Sequence, residues 1–242
     1  MICVSRQLRN HLLKATPSPK AFAGAWHLAA VCAFLSSAHA AENDVSFKKL
    51  LEDPGEQQNV INAASRSTVF LQNPCAGARF SIEKTFVPYQ AADFDATGAL
   101  VSGSWKQSVD EQGCGATRTL NVMVVSKGLG KLAVVPLLPG GTRAEPLLQQ
   151  DAVKYAVQAL ATVPGGREPN CKVGYIADTQ FLGEEGQALP GSKGPAWKEL
   201  WTLESCTQKM LIPMRFIPDS TGTSITAGPN TAIRIVPLAK GR

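Results

Sequence analysis

WKQSVDEQGC at residues 105–114 is matched by WKELWTLESC at residues 197–206. In both stretches a Trp-Lys pair is followed by seven residues and a cysteine. An apolar run comes next, Leu120 to Val125 in the first copy and Met210 to Ile217 in the second. A helical pattern, an earlier cysteine and a long loop precede each stretch in the same order, so we interpret the chain as a duplicated unit.

Each copy predicts a helix packed on an antiparallel sheet, which is a stable two-layer α+β arrangement. The expected fold is two tandem helix-on-antiparallel-sheet units, residues 41–142 and 143–242, each with one disulfide. Apolar spacing predicts helices over Asp44–Glu52, Glu56–Ser65 and Asp151–Val163. The third helix should bury Val153, Val157, Leu160 and Ala161. Strand patterns begin at Cys75, Trp105, Thr117, Lys131, Cys171, Trp197, Leu211, Ser224 and Thr231. The segment Val236-Pro237-Leu238 echoes Val135-Pro136-Leu137, which suggests equivalent return strands.

The first forty residues have the pattern of a secretory signal peptide. A basic segment without acids is followed by the apolar stretch Ala21 to Leu35 and by a small-residue cleavage pattern at Ser36 to Ala40. We expect cleavage after Ala40 and a periplasmic location. The alternatives are an uncleaved anchor and a lipoprotein anchored through Cys32.

Charge and histidine content exclude several classes of function. The leader holds four of the 24 basic residues and none of the 19 acids, so the chain after Ala40 has a net charge of +1. Such a chain has no electrostatic signature for nucleic acid or an anionic membrane. All three histidines, His11, His27 and His39, are in the leader. Their absence from the remainder excludes Ser-His-Asp and Cys-His catalysis and histidine zinc sites there.

Four cysteines remain after the leader, and an even number in an exported chain indicates two disulfides. Spacing alone allows three pairings, but the repeat favours one pair in each copy, Cys75–Cys114 and Cys171–Cys206. The alternative is one zinc ion bound by all four cysteines. No metal and no cofactor are expected.

The tryptophans and lysines of the repeat are the first candidate binding residues. Trp105, Trp197 and Trp201 could lie in the core, or they could form an exposed aromatic platform for a partner. Lys106 and Lys198 should point to the opposite face of their strands. There they could be solvated, or they could bind an acidic partner.

Acidic and glycine-rich segments offer alternative sites. The acids that could form a carboxylate pair or a calcium site are Glu83, Asp93, Asp95, Asp110, Glu111, Glu184, Glu185 and Glu199. Asp93-x-Asp95-x-Thr97-Gly98 has the oxygen spacing of a calcium loop, but it lacks the closing glutamate, and turn chemistry is the competing interpretation. Gly128-Leu129-Gly130 and Gly140-Gly141 indicate turns rather than a phosphate loop.

The segment WTLESC at 201–206, followed by IPMRFIPD at 212–219 and Gly222-Thr223, resembles uncharacterised exported proteins of Gram-negative bacteria. The resemblance implies a periplasmic setting and no particular activity. Tandem helix-on-sheet units with one disulfide each also look like the secreted β-lactamase inhibitor proteins, which is an analogy of architecture alone.

The sequence therefore favours a non-enzymatic periplasmic protein that binds a protein of the cell envelope or assists envelope assembly. The expected contact surfaces are two loops, Tyr89 to Ser104 and Gly183 to Ala196, because binding residues concentrate on loops held by a rigid scaffold. One alternative is an envelope-polymer hydrolase with a carboxylate pair. Another is small-ligand binding between the two units.

Overall fold

The computed structural model describes residues 44–238, apart from 68–76, 114–116, 169, 172–173 and 189. The leader with its cleavage site after Ala40, the cysteine Cys32 and the predicted Cys75–Cys114 disulfide lie outside the described residues. These features stay predictions.

The first part of the described chain contains two helices and a four-stranded antiparallel sheet. Helix α1 covers residues 44–52 and α2 covers Pro54–Ser67. The strands are β1 (Arg79–Phe94), β2 (Leu100–Gln112), β3 (Arg118–Ser126) and β4 (Leu132–Pro136), in the order β1-β2-β3-β4. Asp53 caps α2, since its carboxylate accepts the N–H of Glu56 at 3.0 Å.

A third helix and a second antiparallel sheet follow. They are α3 (Pro146–Thr162), β5 (Tyr175–Glu185), β6 (Ala196–Glu204), β7 (Gln208–Pro218), β8 (Thr223–Ala227), a 3-10 turn (Asn230–Ala232) and β9 (Arg234–Pro237). The sheet order is β5-β6-β7-β8, and β9 also pairs with β7. The predicted α+β class is confirmed.

Each sheet buries one face against a helix. In the first, Val60, Ala63 and Ala64 of α2 pack with the apolar residues of β2 and β3. In the second, Ala152 and Ala156 of α3 pack with those of β6 and β7. The small alanines allow close approach of helix and sheet, and each large apolar side chain buried there contributes about 1.5–3 kcal/mol.

The central hairpins of the two sheets have the same register. Trp105 of β2 lies opposite Val124 of β3, and Trp197 of β6 lies opposite Phe216 of β7, a separation of 19 residues in both. Both tryptophans lie on the helix-covered face of their sheets, since Trp105 belongs to the first core and Trp197 packs against the second. A one-residue slip of the register would turn every side chain to the other face, so the matched register keeps the two positions equivalent.

The echoed Val-Pro-Leu segments are not equivalent in the sheets. Val135 lies opposite Met123, whereas Val236 lies opposite Lys209. In the shared register, the counterpart of Met123 is Arg215, whose neighbour is Thr226 of β8. Strand β8 therefore occupies the place of β4, and the equivalence suggested by the echo is wrong.

The loop predicted over Tyr89 to Ser104 belongs to a β-hairpin. Strand β1 continues to Phe94 and β2 begins at Leu100, with a short turn between them. Alanine, aspartate and serine have low strand propensity, but pairing along β2 overrides it. The second predicted loop, Gly183 to Ala196, is also shorter, because β5 extends to Glu185.

Helix α3 begins earlier than predicted. Pro146 is its first residue, where a missing N–H costs nothing, so the helix does not start at Asp151. The buried stripe is Gln149, Ala152, Ala156 and Leu160. Of the four residues expected inside, Leu160 is buried and Val153 is partly buried, whereas Val157 is 51% exposed and Ala161 is also exposed, so the prediction is wrong for these two.

Candidate functional site

Trp105 and Trp201 belong to the cores. Trp105 is 3% exposed, and its ring meets Phe47 edge-on at 5.0 Å; Trp201 is 0% exposed. Both residues therefore fit the core interpretation. They cannot belong to an exposed aromatic platform, because neither ring is accessible.

Trp197 differs from the other two tryptophans because it is half-buried at the surface. One face of its indole stacks on Phe216, with ring centroids 4.9 Å apart and planes 8° apart. Its Nε1–H donates a hydrogen bond to Glu199 Oε1 at 2.8 Å. The indole is therefore held in one orientation while part of it remains accessible.

Glu199 is a fully buried carboxylate that organises this region. Its Oε1 accepts hydrogen bonds from the Trp197 indole at 2.8 Å and from the Arg143 backbone N–H at 2.9 Å. Its Oε2 accepts the Trp201 indole N–H at 2.7 Å. A buried polar group is tolerated when it is satisfied in this way. These bonds tie β6 to the segment that leads into α3.

Trp197 forms part of a surface cleft of about 670 Å³, which we call the Trp197 cleft. The segment before α3, the first turns of α3, the end of the β5–β6 loop and the β7–β8 turn build its walls. Its apolar side consists of Trp197, Leu147, Leu148, Pro195 and Pro218. Its charged side consists of Arg143, Glu145, Asp151, Glu184 and Lys193.

Arg143 is fixed at the rim of this cleft. Its guanidinium forms an ion pair with Glu184 and lies 4.4 Å from the centroid of the Phe181 ring. Contact of a guanidinium with an aromatic face is favourable by about 0.5–1 kcal/mol at exposed sites.

Lys198 is exposed and already has an anionic partner. It forms an ion pair with Glu185, and Arg215 Nε also approaches Glu185 Oε2, at 2.6 Å. Hydrogen bonds from Lys198 and Arg215 lower the pKa of the Glu185 carboxyl. A role for Lys198 in binding an acidic partner stays a prediction, and such a partner would have to compete with Glu185.

A second cleft, of about 850 Å³, lies between the two sheets, and we call it the inter-sheet cleft. Residues of β2 and β3 line one side, and residues of β5, β6 and β7 line the other. The connection at Gly140 closes it against β5. A side chain there would collide with the Thr179 carbonyl, and the next residue, Gly141, donates its N–H to that same oxygen at 2.5 Å.

Lys106 lines the inter-sheet cleft, on the strand face opposite Trp105, as the alternation predicts. It is half-buried rather than solvated. Burial lowers the pKa of its ammonium group, while Glu83 and Glu199 act in the opposite direction. Lys106 is therefore not equivalent in environment to Lys198, although both follow a tryptophan.

The acids singled out in the sequence do not gather at one place. Glu83 lies in the inter-sheet cleft and Glu184 in the Trp197 cleft. Glu111 is buried 3.6 Å from Arg118 Nε. Asp110 accepts a hydrogen bond from Thr119, at 3.3 Å. The hydrolase alternative stays a prediction.

The calcium-loop motif is a turn. Asp95 Oδ1 accepts hydrogen bonds from Thr97 N at 2.8 Å, from Thr97 Oγ1 at 2.6 Å and from Ala99 N at 3.0 Å. The turn interpretation therefore accounts for this aspartate.

The predicted disulfide Cys171–Cys206 is present, with a Cα–Cα distance of 5.6 Å. Its two sulfurs are bonded to each other, so the alternative of one zinc ion held by all four cysteines is wrong. Glu168 lies beside this disulfide and accepts hydrogen bonds from Ser205 and Thr207.

Sequence reasoning missed the role of Glu199 and the contribution of Leu147. The signal for Glu199 was present: residues 197, 199 and 201 share parity, so a strand places them on one face. A carboxylate between two tryptophans on a buried face needs N–H donors, which indoles supply. No comparable signal existed for Leu147, because it reaches the cleft through the start of α3.

No protein-family model, curated protein or solved structure matches the chain. The resemblance to exported bacterial proteins stays a prediction. Within the described ranges, no helix combines the length and the apolar character that crossing a membrane requires.

Proposed function

We propose that this protein is a non-enzymatic, exported binding protein that docks a polypeptide partner through the Trp197 cleft. The observation that carries the proposal is an accessible tryptophan, held in place by a buried carboxylate, next to an exposed leucine. Tryptophan is enriched among the residues that dominate binding energy at protein interfaces, particularly where it is preorganised.

The apolar side of the cleft supports an anchor of matching chemistry on the partner. Leu147 is 77% exposed, although it is a large apolar residue on the first turn of α3. Together with Trp197 and Pro195 it can receive an aromatic or aliphatic side chain, whose burial contributes about 1.5–3 kcal/mol. We infer that the partner inserts such a side chain.

The charged side of the cleft supports recognition of the partner around that anchor. Arg143 is preorganised by Glu184 and Phe181. Lys193 and Glu145 form no ion pair among the residues that the structure describes. Both signs of charge are thus present at the rim, as in the polar rim of a protein interface.

Export and duplication complete the proposal. The Cys171–Cys206 disulfide is compatible with an oxidising compartment such as the periplasm, where the partner would be a protein of the cell envelope. The common 19-residue register of the two central hairpins, each covered by a helix, supports two tandem units of one origin.

Co-purification with matched leucine variants tests the docking site. Leu147→Asp places a charge on the apolar side of the cleft without disturbing the core. Leu129→Asp is the control, because Leu129 is 90% exposed on the β3–β4 turn. The tagged chain would be recovered from the exported fraction of its source cells, and bound proteins would be quantified by mass spectrometry.

We expect one envelope protein to be enriched with the wild type and with Leu129→Asp, and to fall at least about tenfold with Leu147→Asp, since a buried charge without a partner is costly. Equal recovery with both variants would contradict the proposal. So would the absence of any envelope protein that discriminates between them.

A further inference from the structure

The inter-sheet cleft is lined by charged side chains that do not neutralise one another. Lys106 and Lys209 contribute positive charge, and Glu83, Asp178 and Glu204 contribute negative charge. In the described part of the chain, no ion pair joins either lysine to any carboxylate. The third cation of the lining, Arg118, is paired with Glu111, whereas the two lysines, which belong to different sheets, face one polar space without such a pair.

Of the two lysines, Lys106 is the one whose charged form is disfavoured by burial. It is half-buried, and burial lowers the pKa of its ammonium, although Glu83 and Glu199 act in the opposite direction without forming an ion pair with it. An anionic ligand would stabilise the charged form with a charge-assisted hydrogen bond, the stronger kind of hydrogen bond in proteins.

The rest of the lining suits a ligand rich in hydroxyl groups. Ser108 and Thr119 donate their own hydroxyl hydrogens to Asn121 and Asp110, so their oxygens, like the carboxylates, offer acceptors to the hydroxyls of a ligand. Thr202 contributes a further hydroxyl. Glu204 already accepts the Tyr175 hydroxyl at 2.6 Å, which shows the kind of bond these carboxylates form. The cleft volume of about 850 Å³ is in the size range of small-molecule sites, which is about 300–1,000 Å³.

We propose that the inter-sheet cleft binds a small hydroxyl-rich anion, a sugar acid or a sugar phosphate, with Lys106 holding the anionic group and Lys209 assisting from the opposite wall. This site is separate from the Trp197 cleft and does not depend on the partner proposed for it.

Calorimetric titration of the intact chain tests the proposal with four probes: D-glucuronate, D-glucose 6-phosphate, inorganic phosphate and uncharged D-glucose. The matched variants are Lys106→Ala and Lys198→Ala, because the two lysines occupy equivalent positions in the repeat and only Lys106 lines the cleft. Lys209→Ala is the second cleft variant, used if Lys106→Ala does not fold. Thermal unfolding of each variant checks the fold.

We expect at least one of the two sugar anions to bind saturably, and more tightly than glucose and inorganic phosphate. Its Kd should rise about tenfold to a hundredfold in Lys106→Ala and remain unchanged in Lys198→Ala. Binding of glucuronate alone would identify a carboxylate ligand, and binding of glucose 6-phosphate alone would identify a phosphoryl ligand. The proposal would be overturned if neither sugar anion bound saturably, if both lysine variants had equal effects, or if inorganic phosphate bound with equal affinity. Leu147→Asp should leave this binding intact, which separates it from the docking site.

Discussion

At the scale of single residues, Glu199 determines the shape of the candidate site. It is fully buried and accepts one hydrogen bond from each of two indoles and one from the backbone at Arg143. It thereby fixes the accessible Trp197 and the inaccessible Trp201 at once. Its carboxyl group is fully buried, so the three donors are required for it to be tolerated.

Glu199→Gln is expected to lower the free energy of unfolding by about 1–3 kcal/mol, because the amide has one acceptor oxygen and leaves at least one buried N–H facing its NH₂ group. Urea unfolding followed by tryptophan fluorescence measures the change. The control is Glu184→Gln, which breaks a half-exposed pair with Arg143 and should cost less than about 1 kcal/mol. Equal losses in the two variants would mean that Glu199 has no special structural role.

At the scale of secondary structure, the β1–β2 turn shows how a short motif positions long strands. Asp95 accepts three hydrogen bonds within the turn, and Asp219 does the same between β7 and β8. Hydrogen bonds from the Thr97 side chain and from the Ala99 and Thr97 backbones lower the pKa of the Asp95 carboxyl. A lowered pKa means that the ionised form is the one that stabilises the fold.

Asp95→Ala should therefore be less stable than the wild type at neutral pH, and the difference should shrink on acidification. The stabilisation is complete above the ordinary aspartate pKa of 3.8 and is lost as pH falls through the lower pKa of the folded state. Urea unfolding of both proteins at about pH 7 and about pH 2.5 checks this, since the other acids cancel in the difference. A difference independent of pH would show that the charge of Asp95 contributes nothing.

The elements that sequence reasoning predicted correctly are those with clear local patterns. The first two helices and the strand at Trp197 have strong periodicity, and the structure begins each of them within about two residues of the predicted start. The strand predicted from Trp105 is present but begins earlier, at Leu100. The second half of β1 was missed because its residues favour loops and become a strand only by pairing with β2. The prediction begins α3 at Asp151 because the apolar spacing is clear only from there, whereas the helix starts at Pro146, a residue type favoured in the first turn.

At the scale of the whole molecule, both clefts arise between segments far apart in sequence. The Trp197 cleft joins residues near 147, 195 and 218, and the inter-sheet cleft joins residues near 83, 106, 178 and 209. Periodicity predicts which face of a strand is buried, but not which distant loop covers its edge. Trp197, Lys106, Glu83 and Glu184 could therefore be named as candidates from the sequence, whereas their grouping into two clefts could not.

Photo-crosslinking from Leu147 tests the central claim, that a partner binds at the Trp197 cleft, most directly. A benzophenone amino acid at position 147, with the more exposed position 129 as the control, would be irradiated in living source cells. The account predicts one discrete adduct with an envelope protein from position 147 and no such adduct from position 129. It also predicts that the adduct from position 147 is lost when the probe is combined with Trp197→Ala in a chain that still folds. The same adduct from both positions, or an adduct insensitive to Trp197→Ala, would contradict it.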